Sequence, residues 1–85
     1  MTADYFRDDI PALHLITLRS SAALLQRDFS GTFATETIER FLITSYDEFA
    51  SRLTNDTYLP MFAERFARER LNALARVEVR KSLGL

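Results

Sequence analysis

An all-α fold, an antiparallel up-down-up bundle of three helices, is what this sequence predicts, and three observations carry the prediction. Apolar residues recur at helical spacing in three separate stretches. The chain holds two glycines and two prolines, so few positions interrupt a helix. No segment sustains the period-two alternation of a half-buried strand. Its 85 residues leave room for one domain, 1–85, and a domain so small needs an efficient core. The composition suits that need: 47% of the residues are hydrophobic and seven are phenylalanines, each with a large area to bury.

The first helix is expected over about 9–29. Leu15, Leu18, Ala22, Leu25 and Phe29 alternate steps of three and four, which sets them on one stripe. Asp8 or Asp9 is the expected cap, Pro11 falls in the first turn, and Gly31 suits the left-handed position after the helix. The second helix is expected over about 35–53, with Thr35 as cap. Its stripe is Ile38, Phe41, Leu42, Ser45, Tyr46, Phe49 and Leu53, and Glu36–Arg40 and Glu48–Arg52 are spaced as outer-face ion pairs. Thr54-Asn55-Asp56-Thr57 reads as a turn. The third helix is expected over about 58–83, capped by Asp56 or Thr57, with Pro60 in its first turn. Its stripe is Leu59, Phe62, Ala63, Phe66, Ala67, Ala73, Leu74 and Val77; Arg80 and Lys81 near its end complement the helix dipole, and Gly84 follows. Connections this short imply antiparallel neighbours.

These stripes leave an apolar surplus. Ile10, Leu13, Ile16 and Leu24 fall roughly opposite the main stripe of the first helix, and Met61, Leu71 and Val79 fall off that of the third. Scattered surface hydrophobics are common. A contiguous exposed patch, in contrast, meets another chain. Ile10, Leu13, Ile16 and Leu24 are therefore the candidate interaction face.

Charge and composition exclude several chemistries. A formal net charge of -1 gives no global field for nucleic acid or anionic lipid. Arg65, Arg68, Arg76 and Arg80 line one side of the third helix, but Glu64, Glu69 and Glu78 share that helix, so nucleic acid is disfavoured as a partner. Without cysteine there is no disulfide, thiolate metal site or thiol nucleophile. His14 stands alone, with no second histidine at metal-binding spacing. Ser20, Ser21, Ser45 and Ser82 have no histidine beside them to make a nucleophile, and both glycines stand singly, outside any phosphate-cradling loop. The expectation is no catalytic residue, no metal and no cofactor. No apolar run approaches the roughly 20 residues that span a bilayer. Asp4, Asp8 and Asp9 make the N-terminus acidic where a secretory leader is basic, so the expected location is cytoplasmic.

Arg70 projects by helical spacing between Phe66 and Leu74. A guanidinium there needs a carboxylate, Asp47 or Asp28 by reach, or an outward course for its head. With Ser45 and Tyr46 it forms a candidate buried polar cluster. The alternative is an anion site beside Tyr46 or Tyr58.

Three segments carry a family resemblance: F-S-G-T-F-A-T-E-T-I-E-R-F at 29–41, S-Y-D-E-F-A at 45–50 and T-Y-L-P-M-F-A-E-R-F-A-R-E-R-L-N-A-L-A at 57–75. They resemble the three-helix-bundle domain at the N-terminus of actinobacterial arsenate reductases and low-molecular-weight protein-tyrosine-phosphatase-like proteins, here expected as a free-standing domain. The chain departs from the family's Ser-Pro pair at the second helix, having Ala34-Thr35 instead. The family's phosphatase loop requires a cysteine, and this chain has none, so arsenate reduction and phosphotyrosine hydrolysis do not carry over. The resemblance implies a non-catalytic accessory or assembly module. Its expected partners are a second copy of itself or a phosphatase- or reductase-type protein, with no membrane contact.

Overall fold

Three helices follow one another in the computed structural model, α1 (Ala12–Asp28), α2 (Thr35–Ala50) and α3 (Leu59–Ser82). The structure describes residues 6, 7, 9–52, 58–82 and 84. The expected cap Asp8, the turn 54–57 with its caps Asp56 and Thr57, and the terminal stripe residue Leu53 lie outside the described residues. Among the described residues there is no strand. The fold is all-α, as the periodicity predicts.

The helix starts differ in detail from the sequence expectation. Pro11, at φ -53 and ψ 141, is itself the N-cap of α1, with no side-chain cap. Its carbonyl accepts the first helical bond, from Leu15 N at 2.9 Å. Proline suits this place because it has no N–H to leave unpaired. Asp9 does not cap; its carboxylate accepts from Arg7 Nε at 3.0 Å. Ala34 stands at the N-cap of α2, also without a side-chain bond, so Thr35 is the first helical residue and not the cap. Pro60 lies in the first turn of α3, as expected, and is fully buried. At the end of α1 the chain reverses on the Phe29 carbonyl, which accepts from Thr32 N at 3.0 Å and Phe33 N at 3.3 Å. Gly31 supplies the left-handed residue of this turn, at φ +81.

The bundle is up-down-up. His14 near the start of α1 meets Tyr46 near the end of α2. Phe49 meets Phe62 and Phe66 in the first half of α3. The α2–α3 interface is the most extensive of the three. The core is built from Leu18, Ala22, Leu25 and Phe29 of α1, Ile38, Leu42, Ile43 and Tyr46 of α2, and Leu59, Ala63, Ala67 and Leu71 of α3. Leu15, Phe41 and Phe49, all expected in the stripes, pack against it half-buried.

Two residues of the expected surplus belong instead to the core. Ile10 is 5% exposed, because it precedes α1 and does not follow the helical angle that places it outside. A bend closed by Ile10 N on Arg7 O at 3.3 Å turns it inward. Leu71 is fully buried, whereas Phe62, Ala73 and Val77, assigned to the stripe of α3, are exposed. The buried row of α3 advances in steps of four, 59, 63, 67 and 71, and leaves the alternating three-four stripe behind.

At 24 residues α3 is about 36 Å long, against about 25 Å for the 17 residues of α1. Its last turns outrun both neighbours, and residues 76–81 are exposed throughout. The radius of gyration, 13.7 Å, exceeds the roughly 12 Å of a compact domain of this length. Leu71→Ala is expected to cost about 2–5 kcal/mol in urea denaturation. Val77→Ala, on the overhang, is expected to stay within about 0.5 kcal/mol.

Candidate interaction surface

The inner side of α1 is defined by Leu18, Ala22 and Leu25. Roughly 170° around the helix lies a second row: Leu13, Ile16, Ser20, Leu24 and Arg27, all exposed. Leu13 is 79% exposed, Ile16 64% and Leu24 41%. Thr17, beside this row, donates its hydroxyl to the Leu13 carbonyl at 3.1 Å. That bond satisfies the one hydroxyl next to Leu13 and leaves the surface there largely apolar. Of the four residues expected on this face, Leu13, Ile16 and Leu24 share it, and Ile10 does not.

A polar network closes the end of the bundle nearest the start of α1. Arg7 donates to both oxygens of Asp47, from Nη1 at 2.9 Å and Nη2 at 2.7 Å, while its Nε serves Asp9. The two-pronged hydrogen bond with Asp47, reinforced by Asp9, holds the guanidinium proton even more firmly than usual. Next to Asp47, the Tyr46 hydroxyl and His14 Nδ1 share a hydrogen bond of 2.8 Å. Burial raises the Tyr46 phenol above its ordinary value, and the charge of Asp47 adds to the effect. His14 is thereby a partly packed helix residue. Among the described residues, no three His, Cys, Asp or Glu side chains gather to hold a metal ion.

Ser45, Tyr46 and Arg70 are not brought together as one polar cluster. Tyr46 faces His14. Arg70 keeps 37% of its side chain exposed and donates from Nη2 to the Glu48 carboxylate, at 3.1 and 3.3 Å. Its guanidinium lies over the Phe66 ring, 4.4 Å from the centroid. The two partners inferred from reach are engaged elsewhere, Asp47 by Arg7 and Asp28 by Arg68. Glu48 thus turns to α3 and not to Arg52. Ser45 is fully buried, and its Oγ has no hydrogen-bond partner. A shallow cleft of about 260 Å³ beside Arg70 is lined by Phe49, Phe62, Arg65, Phe66 and Glu69, with one charge of each sign.

The arginine side of α3 is partly neutralised within the chain. Arg65 approaches Glu69 at 3.9 Å and Arg68 donates to Asp28 at 2.7 Å. The hydrogen bond from Arg68 holds the Asp28 carboxyl below the usual carboxylate range. Among the described residues no helix is long and apolar enough to cross a membrane.

These features define a small three-helix bundle whose first helix is apolar on two sides. The family follows from comparison: the model of the protein-tyrosine-phosphatase-like N-terminal domain matches residues 18–75, and the chain belongs to that family. The match agrees with the resemblance carried by residues 29–75. It ends at Ala75, where α3 leaves the bundle, and begins after Leu13 and Ile16. No curated protein and no solved structure matches the chain.

Two outcomes follow from this geometry. In an NMR titration the Asp28 carboxyl is expected to protonate below the ordinary carboxylate value, and to return to it in Arg68→Ala. The sign follows from the lowered folded-state pKa: the pair's stabilisation is complete above the unfolded value and fades as pH falls through the folded one. Ser45→Ala removes an unpaired buried hydroxyl and improves helix propensity. It is expected to stabilise the fold by about 1 kcal/mol in urea denaturation.

Proposed function

We propose that this chain is a non-catalytic interaction module whose working surface is the outer face of α1, in the service of phosphatase-like proteins. The observation that carries the reading is the exposure of Leu13 and Ile16 in line with Leu24 on one helix face. Branched aliphatic side chains of this size lose about 1.5–3 kcal/mol each by staying in water. Covering them with another protein surface recovers much of that.

The absence of catalysis is inferred from the chemistry of the side chains. The 85 residues contain no cysteine. The histidine is engaged with a tyrosine, and the clefts are shallow and lined by side chains without a nucleophile–base pair. The family name places such domains at the N-terminus of phosphatase-like proteins, which is consistent with a supporting role.

Sedimentation velocity of the chain, alone and mixed with a low-molecular-weight phosphatase-like catalytic domain, tests this reading. A complex of either kind is expected, lost in the Leu13→Glu, Ile16→Glu double variant while far-UV circular dichroism is unchanged. The chain alone should release no p-nitrophenol from p-nitrophenyl phosphate. Absence of any complex at high micromolar concentration, or a complex indifferent to the double variant, would overturn the proposal.

A further inference from the structure

The row on the outside of α1 has a spacing that is the same read in either direction. Leu13, Ile16, Ser20, Leu24 and Arg27 follow steps of three, four, four and three, centred on Ser20. Two-fold symmetric interfaces are self-complementary: whatever one copy presents, the other must receive. A two-fold axis through Ser20 maps this row onto itself with the helices antiparallel. Ser20 then meets Ser20 of the other copy, Ile16 meets Leu24, and Leu13 meets Arg27.

We infer that the occupant of the α1 face is a second copy of this chain, laid antiparallel across α1 with the crossing at Ser20. This rests on the interaction reading above and names its partner.

Size and charge fit at each position. Ser20 is small, so the two helices can approach closely at the crossing, inside the usual 8–10 Å between axes. Ile16 and Leu24 flank the crossing on both sides and cover one another. Leu13, the most exposed of the set, receives the aliphatic stem of Arg27. The guanidinium beyond it extends toward the segment that precedes α1 in the other copy, where the exposed Asp9 carboxylate accepts from Arg7 through Oδ1 and can take a second cation. Arg27 is 74% exposed and Asp9 72% exposed. Among the described residues Arg27 has one long contact, with Asp28 at 3.5 Å, so its head can reach across. Antiparallel helices also oppose their dipoles favourably.

The row from Leu13 to Arg27 is about 21 Å long. One helix pair of that length buries less than the roughly 800 Å² per partner of a standard interface. The dimer is therefore concentration-dependent, forming and dissociating across the micromolar range.

Since the chain has no cysteine, a single thiol reports on geometry without interference. Cβ atoms about 3.8 Å apart are needed for a disulfide, and on this axis residue 20 is the position that meets its own copy. Under mild oxidation Ser20→Cys is expected to form a covalent dimer at least about tenfold faster than Arg76→Cys on the α3 overhang. Adding Leu13→Glu and Ile16→Glu should remove that advantage. Sedimentation of the unmodified chain should show a monomer–dimer equilibrium that the same two substitutions abolish. A monomer at every concentration, or equal cross-linking rates for Ser20→Cys and Arg76→Cys, overturns the inference. If the chain binds only the phosphatase-like domain, the inference falls and the accessory reading stands. If it binds neither that domain nor itself, both fall.

Discussion

The bundle depends on two alanines. Ala63 and Ala67 are fully buried at the centre of the α3 row that runs Leu59, Ala63, Ala67, Leu71. Small side chains at the middle of a helix interface let the backbones approach closely, with larger ones closing the ends. The matching row of α2 is Ile38, Leu42 and Tyr46, again in steps of four, and Leu18–Ala22 begins such a row on α1. Rows of this kind incline about 26° to the helix axis, so the buried face drifts around the helix as it advances. Larger side chains at 63 and 67 would force α2 and α3 apart and strain the most extensive interface in the molecule.

The drift explains where the other apolar residues of α3 end up. Phe62 and Phe66 lie to one side of the row, where Phe49 covers part of their surface. Further along, the row continues through Ala75 to Val79. Val79 is exposed because α1 and α2 have ended, not because it points away from them. Three ion pairs then fix the elements lengthwise: Arg7–Asp47, Arg68–Asp28 and Arg70–Glu48. Exposed pairs contribute about 0–1 kcal/mol each, too little to drive folding. Their effect is on register. Arg7 in particular holds the segment before α1 against α2, with Phe6 buried on one side of it and Ile10 on the other. The guanidinium of Arg19 over the Phe6 ring, 4.6 Å from its centroid, completes the anchorage.

Much of this was legible in the residues. The three helices, their order, the stripe of α2 and the inner side of α1 follow from periodicity, because each helix has one face against the others along most of its length. The family was legible from residues 29–75. Legibility failed where helical spacing stopped being the governing geometry. Ile10 was placed outward by a helical angle, yet it precedes the helix. Leu71 was placed off the stripe because one fixed alternation was carried through 24 residues while the true row drifts. The partner of Arg70 was chosen by reach, but Asp47 and Asp28 are claimed by other arginines, a competition no single-helix projection contains. The missing side-chain caps at Pro11 and Ala34 follow the same logic: tertiary packing holds α1 and α2 in place without them.

Exposure alone does not distinguish a working surface from incidental apolar residues, and α1 and α3 show why the distinction can still be argued. On α3 the exposed Met61, Val77 and Val79 have explanations within the chain. Met61 stands in the first turn with the charged residues Glu64, Arg65 and Arg68 further along its face, and the two valines ride on the overhang beyond α1 and α2. Leu13, Ile16 and Leu24 have no such explanation. They lie on a helix packed along its other side, so their exposure is not the result of a missing neighbour within the bundle. They also share one face over three turns, with a small residue at its centre. A helix apolar on two opposite sides has more apolar surface than neighbours along one side can cover. The chain supplies cover for one side of α1 and leaves Leu13, Ile16 and Leu24 on the other side exposed, and the proposed interaction rests on that contrast.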